Sequence, residues 1–183
     1  MTELLERLNQ DHRHLSRLLN LFDGLLDRFH EGNEPDFELM CEMLEYMESY
    51  ADQVHHPSEE VIFDRLRART NETYPVLDVL TKQHVLLGQM NKRFRQSLDG
   101  IVHEEVLRRD DVEVQGREFV KTMWEHLKLE EAEAFPLARE RLSSSDWDEL
   151  LDEVPSVDDP VFGDADPARF RTLFQHLMSQ AQP

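Results

Sequence analysis

The sequence predicts an all-α protein: an antiparallel, up-down-up-down four-helix bundle followed by a C-terminal acidic and helical extension. Apolar residues recur at threes and fours along four long stretches, which is the period of one helix face. No stretch sustains the alternation of a half-buried strand. Only six glycines and eight prolines occur in 183 residues, and no proline lies between Met1 and Glu34, so long uninterrupted helices are available.

The first stripe is Leu4, Leu8, His12, Leu15, Leu19, Phe22, Leu26 and Phe29, and it stops at the turn sequence Glu31-Gly32-Asn33-Glu34-Pro35. The second begins near Asp36 and runs to about Ala68 through Phe37, Met40, Leu44, Ala51, His55, Glu59, Ile62 and Leu66. Pro57 falls near its middle, where a missing N–H and a crowded preceding turn predict a kink. Thr73-Tyr74-Pro75 opens the third, with Leu77, Leu80, His84, Leu87, Asn91 and Phe94 on one face and a stop near Asp99-Gly100. Residues 101–114 read as a connection with at most a short helix. The fourth run covers about 115–142, with Phe119, Met123, His126, Glu130, Ala134 and Leu137 in its stripe and Pro136 interrupting it late. Short connections between four such helices favour neighbours that run antiparallel.

Residues 1–142 are therefore expected to form the bundle and residues 143–183 an extension packed on it. Asp146 through Asp166 contains nine acidic residues and no Lys or Arg. Trp147, Leu150, Leu151 and Val154 suit one short helix, and 168–178 another. Trp147, Val161-Phe162, Phe170 and Phe174 are the expected anchors. Thirty-nine acidic against 20 basic residues give a formal charge of −19. That charge opposes binding to nucleic acid or an anionic membrane, both of which attract proteins chiefly through Lys and Arg. Cys41 is the single cysteine, which excludes an intrachain disulfide and a cysteine-rich metal site. The first residues lack the basic start and apolar run of a signal peptide, and no apolar stretch is long enough to span a bilayer, so a cytoplasmic location is expected.

Nine histidines are present, and each of the four main stripes contains at least one: His12, His55, His84 and His126. One core histidine with a hydrogen-bond partner is ordinary. One per helix is not, because each buried imidazole must satisfy two ring nitrogens. His55-His56-Pro57-Ser58-Glu59-Glu60 and His126-Leu127-Lys128-Leu129-Glu130-Glu131 also share the pattern H-x-x-x-E-E. On a helix, positions i and i+4 share a face, so each pair presents a nitrogen and a carboxylate to the same volume. Imidazole with carboxylate suits iron, manganese or zinc, and a carboxylate can bridge two ions. Two dications would also offset the charge of buried carboxylates. The Glu-x-x-His pattern of ferritin-like bundles is absent.

With Asp11-His12-Arg13, Gln83-His84 and the double H-x-x-x-E-E, the chain resembles the hemerythrin-like, or HHE cation-binding, family over roughly residues 5–142. The resemblance implies two iron ions joined by carboxylates and an oxo or hydroxo bridge, with manganese or zinc the less favoured metals. It implies His12, His55, His84 and His126 as nitrogen ligands and Glu59 and Glu130 as bridges. Classical oxygen carriers of the family have a further histidine where this chain has Gly88. In the HHE branch a residue beside the second-helix histidine can complete the set, and His56 occupies that place.

Around this set, Glu60 and Glu131 read as solvated or as partners of the ligands, and Glu48 as a carboxylate able to orient an imidazole. His14 points away from His12. Tyr46 and Tyr50 read as packing residues, and His30, His103 and His176 as surface. The expected function is binding or sensing of O2 or a related small oxidant such as nitric oxide or peroxide. Two alternatives stay open: a peroxidase, nitric oxide reductase or oxidase using the same metals, and a metal-dependent regulatory module whose acidic tail meets a protein partner.

Overall fold

The computed structural model describes residues 2–69, 72–103, 108–164 and 166–180. They form an all-helical bundle, with no strand among the described residues. Helix α1 spans Glu3–His30, and Gly32, at a φ of 90°, makes the turn that follows in a conformation glycine adopts without steric cost. The second arm is continuous but not uniform. Helix α2 (Phe37–Tyr46) is capped by the Asp36 carboxylate accepting from the Leu39 N–H; a π-helical stretch, Met47–His55, then leads into α3 (His56–Arg69). Helix α4 spans Pro75–Val102, with Pro75 in the first turn, where its missing N–H costs nothing. The fourth arm repeats the pattern of the second: α5 (Arg109–Leu129), a π-helical turn (Glu130–Ala134), then α6 (Phe135–Arg141).

These two π-helical segments explain how the prolines are accommodated. In an α-helix, a proline ring clashes with the carbonyl four residues back and leaves it without a donor. Here the residue before each proline reaches one position further: the His56 N–H donates to the Ala51 carbonyl, and the Phe135 N–H to the Glu130 carbonyl. Pro57 and Pro136 therefore stand in the first turns of α3 and α6, and neither arm is broken. The fourth arm starts at Arg109, earlier than its stripe indicated; of the 101–114 connection, residues 104–107 lie outside the described residues.

The interior is divided into two apolar cores. One is built from Leu15 through Phe29 on α1, Leu39 through Val54 on the second arm, Leu87, Phe94 and Leu98 on α4, and Val112 through Leu127 on α5. The other holds Leu4, Leu5 and Leu8, then Ile62, Phe63 and Leu66, then Leu77 and Leu80, and Ala134, Phe135 and Ala138. On every arm the gap between the cores falls where the chain carries histidine, with glutamate beside it on the second and fourth arms. Four helices thus present polar residues at one level, sealed above and below by packed hydrocarbon.

The C-terminal residues add to both cores. Helix α7 (Ser144–Glu153) starts with a reciprocal cap between Ser143 and Asp146 and buries Trp147 and Leu150 on the second core, with Val154 beyond it. Asp146 also accepts from Arg65 and Arg69 on α3. Helix α8 (Arg171–Gln180) packs Leu173 and Leu177 on the first core together with Val161 and Phe170. Leu151, grouped with Trp147, Leu150 and Val154 by the sequence pattern, is exposed.

Candidate metal centre

The polar layer brings together all seven residues singled out from the sequence. His12 comes from α1, His55 from the end of the first π-helical stretch, His56 and Glu59 from α3, His84 from α4, His126 from α5 and Glu130 from the second π-helical turn. The imidazoles divide into a group of three and a group of two. His56 and His84 stack at 4.4 Å, and His126 stands edge-on to both at 5.3 and 4.8 Å. His12 and His55 lie 5.1 Å apart. Neighbours on a helix normally diverge by about 100°, yet His55 and His56 both face inward, one into each group, at the junction where the π-helical stretch ends.

The carboxylates sit between the groups. Glu59 Oε1 lies 3.2 Å from His55 Nε2 and 3.5 Å from His12 Nε2, while its Oε2 lies 3.4 Å from His84 Nε2. Glu130 Oε2 lies 3.3 Å from His12 Nε2, and its Oε1 lies 3.3 Å from His84 Nε2. His126 Nε2 is 3.3 Å from Glu130 Oε2. Adjacent ligands about 2.1 Å from a shared ion, at right angles, stand about 3.0 Å apart, so these separations are close to those of a coordination shell. Two sets of four donors lie within 4.8 Å of one another: His56, Glu59, His84 and His126, and His12, His55, Glu59 and Glu130.

Two features show that the donor set fits metal ions. Glu59 and Glu130 are fully buried, and both Glu59 oxygens, Glu130 Oε2 and the Nε2 atoms of His12, His55, His56 and His126 have no hydrogen-bond partner. Orphaned buried carboxylates and imidazoles converging on one volume are costly unless cations compensate them. The outer nitrogens are fixed. His12 Nδ1 meets Glu131 at 3.0 Å, His55 Nδ1 meets Asp11 at 3.0 Å, and His56 Nδ1 meets Asp52 at 3.3 Å. His84 Nδ1 meets Glu60 at 2.7 Å, and His126 Nδ1 meets the Gln83 side-chain oxygen at 3.1 Å. An imidazole donating through Nδ1 to an oxygen keeps its Nε2 lone pair directed at the centre, the usual support of a metal-binding histidine.

Electrostatics reflect the same division. Burial works against protonation of every ring. Glu130, Glu131 and Glu59 outweigh it at His12, and Glu59 with Asp11 lifts His55 to about 9. Glu130, Glu59 and Glu60 lift His84 to about 11. His56 is held well below the ordinary value by burial and by His84 beside it, and His126 is lowered by burial. Burial raises the Glu59 carboxyl, but His55, His12 and His84 more than reverse this and hold it well below its usual range.

Glu60 and Glu131 support imidazoles, as their position beside the ligands suggested. Glu48 does not: its carboxylate pairs with Arg95 at 2.7 Å, and Asp52, one turn further on, takes the imidazole instead. The sequence reading included Asp11 only within Asp11-His12-Arg13, with no role given to it, and did not single out Asp52. The signal available was Asp52 at i−4 from His56. Asp11 also accepts from the Tyr50 hydroxyl at 3.3 Å. Tyr46, stacked on Tyr50, donates to Asp159 at 2.9 Å, and His14 stacks on Phe162 at 4.1 Å with Nδ1 3.4 Å from Asp159. A line of contacts therefore leads from His55 through Asp11 and the two tyrosines to the C-terminal residues. Asp11, His14 and Asp159 form a third group of donors, but hydrogen bonds from His55, both tyrosines and the Val161 and Phe162 N–H groups already account for the carboxylates.

Five imidazoles split three and two about a shared pair of carboxylates define a helical-bundle metal protein whose site is arranged for two bridged ions. The chain belongs to the hemerythrin family: residues 3–138 match the model of the hemerythrin HHE cation-binding domain. Searches of curated proteins and of solved structures gave no match.

Proposed function

We propose that the protein is a non-haem diiron protein that binds or senses O2 or a related small oxidant. The observation that carries this reading is the unequal sharing of imidazoles. Glu59 is common to both sets of four donors, and Glu130 Oε1 also lies 3.3 Å from His84 Nε2, so with both carboxylates shared the side with His56, His84 and His126 would have five donors and the side with His12 and His55 four. A six-coordinate ion on the second side keeps room for an outside ligand as well as a bridge. Two ferrous ions would supply the two electrons that O2 accepts on binding.

The chain's own residues set the conditions for that event. Asp11 and Glu131 hold the His55 and His12 rings in place through their Nδ1 atoms, so that Nε2 does not turn away. Leu15, Leu80, Leu87 and Met123, each within a turn of a proposed ligand, are buried. The two apolar cores keep bulk water from a site whose charges act strongly for that reason.

The test is to purify the protein aerobically without added metal, count iron, manganese and zinc per chain and record the near-ultraviolet and visible spectrum. About two irons with absorption typical of a bridged ferric pair, bleached on reduction and restored by O2, would support the reading. A chain that takes up no iron even after anaerobic loading with Fe(II) would end it.

A further inference from the structure

A cavity of about 600 Å³ opens between the start of α3 and the middle of α4, and its floor includes His56 and His84. It lies on the three-imidazole side, behind the rings, where their Nδ1 edges meet Asp52 and Glu60. A molecule held there is separated from the ions by the rings themselves. It meets the Nδ1 edges of the rings and not the Nε2 atoms that converge on the centre, a position suited to exchanging electrons through the two stacked imidazoles. From this position, and resting on the diiron reading above, we propose that the cavity is the docking site of an organic reductant of the quinol class.

The lining restricts the occupant. The surface is mainly apolar, with Pro57, Val85 and Gly88 in its walls, which suits a flat hydrocarbon body; its volume falls in the range of small-molecule pockets. Asp52 and Glu60 bring carboxylates to the inner end beside the imidazoles, and Gln89 and Lys92 line the same cavity, so the polar end of the occupant meets both acceptors and donors, which suits a phenolic O–H that can donate and accept. At Gly88 a Cβ would come to 3.6 Å from the Asp52 carboxylate, ordinary contact, so the wall there is open because the side chain is absent and not because the backbone demands glycine. Val85 in the cavity wall is an exposed apolar residue, and Val79 and Leu86 leave further exposed apolar surface on α4, which favours an apolar body over a small hydrophilic reductant. A quinol leaving as the quinone breaks two O–H bonds and gives up two electrons, which an oxidised pair of irons at the proposed centre would accept, one each. Its two protons pass to water at the cavity mouth.

The probe is menadiol, with the full-length chain under anaerobic conditions. Calorimetry measures binding to the protein as isolated, and stopped-flow absorbance measures reduction of the iron-loaded, oxidised protein. Saturable binding and saturable reduction are expected. Gly88→Phe, whose ring would fill the cavity, and Val85→Trp, at an exposed position, should each weaken both by about 10-fold or more. Dithionite, which needs no pocket, should reduce both variants at the unmodified rate, with iron content unchanged. Menadiol binding that does not saturate, or that survives in both variants, would overturn the proposal, as would reduction equally fast in all three proteins. A chain that holds no iron but binds menadiol in a Gly88-dependent way would sink the diiron reading and the reductant role while leaving the binding site in place.

Discussion

Replacing Asp11 by asparagine separates the two halves of the proposed centre. Asp11 is buried and supports only His55, on the two-imidazole side. Asparagine has nearly the same shape, and its side-chain NH2 can donate to the Tyr50 hydroxyl while its oxygen accepts from His55 Nδ1, so the fold should be retained. What changes is the charge on the acceptor. A hydrogen bond to a charged group contributes about 1.5–3 kcal/mol and a neutral one about 0.5–1.5, so the support of the ring weakens by about 1–1.5 kcal/mol. Loss of such outer partners usually lowers metal affinity about 10- to 100-fold, which agrees with that difference at its lower end.

The expected result is thus selective. Dialysis against increasing chelator should remove one ion from Asp11→Asn at about 10- to 100-fold lower chelator activity than from the unmodified protein, leaving one ion per chain with His56, His84 and His126. Asp52→Asn, acting on His56, should show the reverse order and release the ion of the three-imidazole side first. Metal analysis after each step distinguishes the two. If both variants lose both ions together, at the chelator activity that strips the unmodified protein, the division of the imidazoles into three and two is not the division of the ligands.

Tyr46→Phe removes the hydroxyl bonded to buried Asp159 and should cost about 1–2 kcal/mol, speeding limited proteolysis of residues 155–170 with metal content unchanged. Burial and the nearby Asp99 carboxylate push the Cys41 thiol up to about 12. At pH 8 its thiolate fraction should be about 10⁻⁴, so iodoacetamide should label the native protein roughly 1,000-fold more slowly than an ordinary thiol and the unfolded chain at the ordinary rate. Burial opposes charge on Asp146, but Ser143, Arg65 and Arg69 outweigh it and hold the carboxyl well below its usual range. A lowered folded-state value means stability that is complete above about pH 4 and lost as pH falls further. Trp147 fluorescence should report α7 loosening only in acid, and at pH 7 in Asp146→Asn. Gly116→Ala should lower the melting temperature: its Cβ would fall 2.7 Å from Leu26 and 2.8 Å from Phe94, an overpacking cost of about 1–3 kcal/mol against about 1 kcal/mol of improved helix propensity.

Much of the centre could be read from spacing because metal ligands in a bundle must lie on the buried stripe, and stripes are periodic. His12, His84 and His126 follow from that alone. His55 and Glu59 follow from the i, i+4 pair, and His56 from the resemblance. The imidazole supports were less legible. Asp11 stands about 100° from His12 and looks like a solvated residue until α1 is seen to turn it toward Tyr50 and His55. Glu48 lies seven residues before His55, in step with an unbroken α-helix, but the π-helical stretch intervenes, so Glu48 turns out toward Arg95 while Asp52 meets His56. The bond between Tyr46 and Asp159 joins residues 113 apart in the chain, and no local pattern encodes it.

The two prolines reveal why the arms carry π-helical turns at this level. Each H-x-x-x-E-E motif is associated with a proline, Pro57 inside the first and Pro136 five residues after the second, and each proline is preceded by a backbone bond that reaches five residues back. In a regular α-helix Pro57 would collide with the Gln53 carbonyl and Pro136 with that of Ala132. Widening the preceding turn relieves this and changes the phase of the helix by part of a residue step. A strict α-helical phase would direct either His55 or His56 at the centre but not both. The same local feature therefore accommodates the proline, brings two consecutive imidazoles into opposite halves of the site, and places Glu59 between them. Pi-helical turns are frequent at functional sites, and here the reason is geometric: the proposed ligand set needs a phase that an α-helix does not supply.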